Sequence, residues 1–108
     1  MLVTVLDGNG NPVVICMLTQ GAATDFSSSI TDTDVSQQVA PANLERSGLY
    51  FQNRGINSML VSELGSAEAA NAYLISPGGT WPPPNYPIPT GVINVAGAAG
   101  DIYVYREW

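Results

Sequence analysis

The stretch Gly91-Val92-Ile93-Asn94-Val95-Ala96-Gly97-Ala98-Ala99-Gly100-Asp101-Ile102-Tyr103-Val104-Tyr105-Arg106 decides the fold class. It opens as a β-branched run, breaks at Gly97-Ala98-Ala99-Gly100, and resumes with side chains that alternate between two faces. Branched and aromatic side chains fit the pleated surface of a sheet, and a period of two puts successive residues on opposite faces. The stretch reads as two strands joined as a C-terminal hairpin.

Upstream the same signals repeat. Residues 80–90 hold Pro82, Pro83, Pro84, Pro87 and Pro89, five of the eight prolines, which favours extended polyproline-like backbone without sheet pairing. Before them, Tyr73-Leu74-Ile75 reads as a strand ended by Pro77-Gly78-Gly79, and residues 58–64 as another. Leu49-Tyr50-Phe51-Gln52-Asn53 is a strand stopped by Arg54-Gly55. Residues 35–39 give a short strand ahead of Pro41, and residues 42–46 one helical or wide turn. The Ala-rich residues 66–72 suit a short helix that has no stability of its own. At the start, Leu2-Val3-Thr4-Val5-Leu6 and Val13-Val14-Ile15-Cys16-Met17-Leu18 flank a turn cluster, Asp7-Gly8-Asn9-Gly10-Asn11-Pro12, and read as a hairpin. Residues 19–34 are polar except for Phe26 and Ile30 and read as a long loop or extended arm.

About seven short strands with turn signals every ~8–12 residues predict an all-β chain, a β-sandwich or small β-barrel. The expected organisation is a single domain over 1–108: an N-terminal hairpin (1–18), the loop or arm (19–34) and a main β body (35–108).

Composition narrows the function. Charged residues make up 11% of the chain, against roughly 25% in an average domain, so much of the surface is neutral and cheap to desolvate against a partner. There is no Lys, and Arg46, Arg54 and Arg106 face nine acidic residues, for a net charge of −6. That balance argues against nucleic acid and anionic membranes as partners and favours a basic protein surface. No apolar run is long enough for a membrane helix, and the first residues lack the basic start of a leader, so synthesis as a soluble cytoplasmic chain is expected.

Catalytic and metal chemistry find little footing. The chain has no His, so the commonest general base and metal ligand are missing, and Ser27-Ser28-Ser29 has neither His nor Lys to activate it. Cys16, the one cysteine, sits in an apolar run and reads as a small core residue. Asp7-Gly8-Asn9-Gly10-Asn11 opens like a calcium loop, but its sixth position is Pro12 and its twelfth is Leu18, so it reads as a turn. Asp32 and Asp34 would point the same way on an extended chain and read as solvated acids. Glu63 and Glu68 leave a carboxylate-only enzyme as the alternative of another class; otherwise the expectation is no enzyme and no cofactor.

The candidate binding residues are Trp81, Pro83, Tyr86, Trp108, Arg46 and Arg54. Trp81-Pro82-Pro83-Pro84-Asn85-Tyr86-Pro87 is either a preorganised recognition loop or a lid lying over its own sheet. Trp108 is either buried by the last strand or docked on a neighbouring subunit. Arg46 and Arg54 either capture acidic groups of a partner or pair internally with Glu45, Glu63 or an Asp.

Ala42-Asn43-x-x-Arg46-x-Gly48-Leu49-Tyr50-Phe51-Gln52-Asn53 resembles a pattern in small virion proteins of tailed bacteriophages, where A-N-x-x-R-x-G-L-x-x-Q-N opens the central strands. Leu74-Ile75-Ser76-Pro77-Gly78-Gly79 and Pro89-Thr90-Gly91-Val92-Ile93-Asn94-Val95-Ala96-Gly97 are similar to two later segments of that pattern. The N-terminal turn also resembles those of phage structural proteins. The similarity runs over residues 42–107 and does not include residues 19–34 or the Trp81–Pro87 insert. The resemblance implies a β-sandwich or barrel in the virion, made in the host bacterial cytoplasm and often trimeric. It further implies a capsid decoration (cement) protein on the major capsid protein, or alternatively a head-fibre, neck or tail-associated protein contacting other virion proteins. It brings no catalytic residue.

Overall fold

The computed structural model describes residues 2–6, 12–16 and 23–108. Its strands are β1 (Leu2–Leu6), β2 (Pro12–Cys16), β3 (Thr24–Asp25), β4 (Ser28–Ser29), β5 (Gln37–Ala40), β6 (Leu49–Asn53), β7 (Met59–Ser62), β8 (Tyr73–Ile75), β9 (Thr80–Trp81), β10 (Ile93–Ala96) and β11 (Ile102–Glu107). The fold is all-β, and β3–β11 make two antiparallel sheets of a β-sandwich. Sheet I has the order β3-β11-β6-β9, with β4 also on β11; sheet II has the order β5-β10-β7-β8. β1 pairs with β2 from Leu2↔Cys16 to Leu6↔Pro12 and, among the described residues, with no strand of either sheet. The turn at 7–11, with its calcium-loop-like start, lies outside the described residues.

Alternation decides which side chains face inward. On β6, Leu49, Phe51 and Asn53 are buried; on β11, Tyr103, Tyr105 and Glu107 are. These meet Val39, Met59, Val61, Ile75, Ile93 and Val95 from sheet II in one hydrophobic cluster. Phe51 stacks on Tyr103 with ring centroids 5.8 Å apart.

The expected C-terminal hairpin does not form. β10 lies between β5 and β7 in sheet II, whereas β11 lies in sheet I, so the Gly/Ala turn bridges the two layers. Residues 30–34 hold that turn in place of a hairpin ladder: Gly100 N–H donates to Ile30 O, Ile30 N–H to Asp101 O, and Asp34 N–H to Gly97 O, at 2.8–2.9 Å. The β-branched run of β10 and the alternation of β11 mark each strand correctly, but the choice of partner is non-local and leaves no mark in the turn.

The segment expected as a loop or arm is, over its described part, the edge of sheet I. β3 and β4 pair with β11, Phe26 N–H donates to Tyr105 O, and Ile30 is buried in the core. Residues 17–22 lie outside the described residues. The Ala-rich stretch forms turns, not a helix, held where Asn71 and Ala72 N–H donate to Glu68 O. Thr80 and Trp81 also depart from the expected unpaired polyproline backbone: they pair with β6 before the prolines begin.

Candidate partner-binding surfaces

Arg46 is inside the protein. Its side chain has no exposed area, and its Nη2 lies 3.1 Å from Glu107 Oε1. Nε donates to Glu107 Oε1, Nη1 to the carbonyls of Pro89 and Gly91, and Nη2 to the carbonyl of Pro41. These four hydrogen bonds and the ion pair engage all three guanidinium nitrogens. The carboxylate also accepts from the Tyr105 hydroxyl and from Asn43 Nδ2. Burial pushes the Glu107 carboxyl up, but hydrogen bonds from Asn43, Arg46 and Tyr105 outweigh it and hold the group below the usual carboxylate range. Burial, followed by the bond to Glu107, pushes the Tyr105 hydroxyl up. Arg46 is therefore a clamp on its own loops, and its acid is Glu107 instead of Glu45, Glu63 or an Asp.

The proline-rich loop begins as a lid. Trp81 is 2% exposed and packs against Tyr86 and Tyr73, with centroids 5.8 and 5.9 Å away. Tyr86 is half-buried and donates to Glu63 Oε1 at 2.7 Å, while its oxygen lies 2.9 Å from the Tyr73 hydroxyl. These bonds to Tyr73 and Glu63, more than burial, raise the Tyr86 hydroxyl above its ordinary value. Glu63 is thus engaged with the loop. Trp81 is too buried to stack on a ligand; Pro83 is exposed, and Tyr73 is the ring of this group that reaches solvent.

Trp108 is half-exposed, and its backbone exchanges hydrogen bonds with Gly48. A Cβ at position 48 would lie 2.3 Å from the indole, so glycine is what lets the ring lie on the chain there. Arg54 is exposed at the end of β6 and, among the described residues, enters no ion pair. Asp32 and Asp34 do not share an extended face: Asp34 has φ +57° in a turn. Ser27 bridges to the Tyr105 backbone, accepting from its N–H at 2.9 Å.

The chain matches no family model, no curated protein and no solved structure.

Two features were not singled out from the sequence. Asn53 is fully buried, and its Nδ2 donates to Asn57 O and Ile75 O while its Oδ1 accepts from Gly55 N–H, so one side chain ties the β6–β7 turn to β8. The signal was its inward parity on β6. The second is a cleft of about 540 Å³ between residues 67–69 and sheet II, walled by Asp34, Val35, Leu60, Ala67, Glu68 and Ala96 among others. Its acids come from two distant stretches, Asp34 ahead of β5 and Glu68 in the long loop that joins the antiparallel neighbours β7 and β8. Among the described residues no group of three His, Cys, Asp or Glu is placed to hold a metal, and no helix is long and apolar enough to cross a membrane.

Proposed function

We propose that this protein is a virion structural module, a capsid decoration protein that docks on the outer shell through preformed surfaces and performs no catalysis. The observation that carries the reading is how side chains are divided between interior and surface. Arg46, Asn53, Glu63 and Glu107 are spent on holding loops. Large apolar side chains remain in solvent instead: Leu44 is 88% exposed, Ile56 86%, and Leu64 and Leu74 67% each. Single exposed apolar residues are ordinary. Several on a weakly charged, net acidic chain suit a surface that is desolvated against a basic partner.

The phage assignment rests on the resemblance of residues 42–107, and the trimer and the major capsid protein as partner come with it. The test is co-sedimentation of the purified protein with capsids that lack it, read beside its mass in solution. Binding at a fixed, high copy number per shell supports decoration. No binding, or a few copies per particle, moves the protein to the neck, tail or head fibre.

A further inference from the structure

Strand β11 carries its polarity on unexpected sides. Its outward positions are Ile102, Val104 and Arg106, followed in the same alternation by Trp108, while Glu107 turns to the interior. The solvated side of an antiparallel sheet ordinarily bears polar residues. Here Ile102 is 55% exposed and Trp108 50%. Tyr50 lies opposite Arg106 on β6 and is exposed, and Asp25 lies opposite Arg106 on β3. Residues opposite one another in register share a face. The outside of sheet I is therefore a largely apolar and aromatic surface whose strands bring one cation and one anion, side by side. Arg106 enters no ion pair among the described residues, and Asp25 accepts from the Ser27 N–H at 2.9 Å.

We infer that this face is a two-fold interface between copies of the chain, in which Arg106 of each copy meets Asp25 of the other. Charge selects that occupant. The chain carries −6, so two copies repel wherever acids predominate, whereas the strands of this face sum to zero. Arg106 and Arg54, the arginines outside the pair with Glu107, both belong to the sheet I side, Arg106 within β11 and Arg54 just past β6. A basic partner is drawn to the acids elsewhere and held off by these two. A second copy offers one anion to the cation and one cation to the anion, the self-complementarity that a two-fold contact requires.

The anchors are the right kind and are already fixed. Trp, Tyr and Arg carry most of the energy in interfaces between proteins. Trp108 is held before any contact forms: its carbonyl accepts from Ser47 and Gly48 N–H, its own N–H donates to Gly48 O, and its indole lies against Gly48. Four strand widths across, at ~4.8 Å each, and a β11 of six residues at ~3.4 Å each give a face of about 20 Å by 20 Å. That extent stands at the small end of specific interfaces and supports a reversible, concentration-dependent dimer. The inference does not rest on the capsid reading. A three-fold contact is heterologous and would use other surfaces.

The test is the solution mass of the full chain, by sedimentation across a dilution series, for the native protein and a charge swap. The native chain is expected to reach twice its own mass at high concentration and to fall to one chain on dilution. Arg106→Asp alone places two anions on the face and Asp25→Arg alone two cations, and each should raise the dissociation constant about tenfold or more. An equal mixture of the two variants should restore the dimer, because each then meets its complement. Ile102→Glu leaves both charges in place and changes an exposed position, so it keeps the fold and should also weaken the dimer, which covers the case in which a swap variant does not fold. A single-chain mass at every concentration, a mass of three chains, a dimer untouched by Ile102→Glu, or folded swap variants that fail to dimerise when mixed would each overturn the inference.

Discussion

Arg46 and Glu107 are 61 residues apart in the chain and meet as an ion pair whose side chains are 0% and 5% exposed. The pair joins the loop before β6 to the end of β11, and through Pro41, Pro89 and Gly91 it also fixes the chain leaving β5 and the chain entering β10, neighbouring strands of sheet II. Removing one member of a buried pair leaves the other charge uncompensated, a loss of about 3–5 kcal/mol. Arg46→Met is therefore expected to lower stability by that order, read as a shift of the urea midpoint with unchanged slope. A midpoint equal to that of the native chain would show that the clamp does not hold the fold.

The same pair sets a pH dependence. The Glu107 carboxyl is held below its ordinary value by hydrogen bonds that overcome burial, so the folded protein binds fewer protons there than the unfolded chain. Its contribution is complete above the unfolded value of about 4.3 and is lost as pH falls through the lower folded value. Stability should fall in that acid window, and Glu107→Gln should flatten the fall while lowering the plateau. Tyr105 acts at the other end: burial and the bond to Glu107 raise its hydroxyl. Its contribution is complete below about pH 10 and is lost as pH rises beyond it. Urea midpoints across pH for the native chain, Glu107→Gln and Tyr105→Phe check both windows.

Asn53 is a polar residue at an inward position, and its three hydrogen bonds leave nothing in the chain to replace it. Asn53→Ala strands the Gly55 N–H and the carbonyls of Asn57 and Ile75. At about 1–3 kcal/mol for each buried group left without a partner, a loss of at least ~2 kcal/mol is expected. Faster amide exchange should appear at residues 54–58 and β8. Exchange unchanged there would mean that the turn is held by its backbone alone.

The two-layer β fold was legible because Leu49-Tyr50-Phe51-Gln52-Asn53 and Ile102-Tyr103-Val104-Tyr105 alternate, and alternation is a local property of the chain. Strand partners were not. β10 and β11 are neighbours in sequence yet lie in different sheets, and β3, β4 and β9 are two-residue pairings that exist because a longer strand lies beside them. The candidate site was less legible for the same reason. Arg46 carried the right chemistry, but its acid lay at the far end of the chain. The wall of the cleft is assembled from four separated stretches, and no spacing in the sequence announces it.

Trp81 shows what that difference does to an experiment. Read as the tip of a recognition loop, it would be the residue to delete in order to weaken attachment without disturbing the domain. In the structure it is 2% exposed, pairs with Phe51 across β6 and β9, and packs on Tyr73 and Tyr86. Trp81→Ala therefore empties a core site and should cost about 3–5 kcal/mol. Trp81→Phe, which keeps a ring, should cost less. Pro83, two residues on and exposed, supplies the contrast. Pro83→Ala should leave the urea midpoint within about 0.5 kcal/mol of native, as for surface changes generally. A partner that contacts this loop would then respond to Pro83→Ala and Tyr73→Ala at unchanged Trp81. If instead Trp81→Ala left the midpoint unchanged while abolishing attachment, the indole would have to leave the core to bind, and the loop would be a moving part instead of a lid.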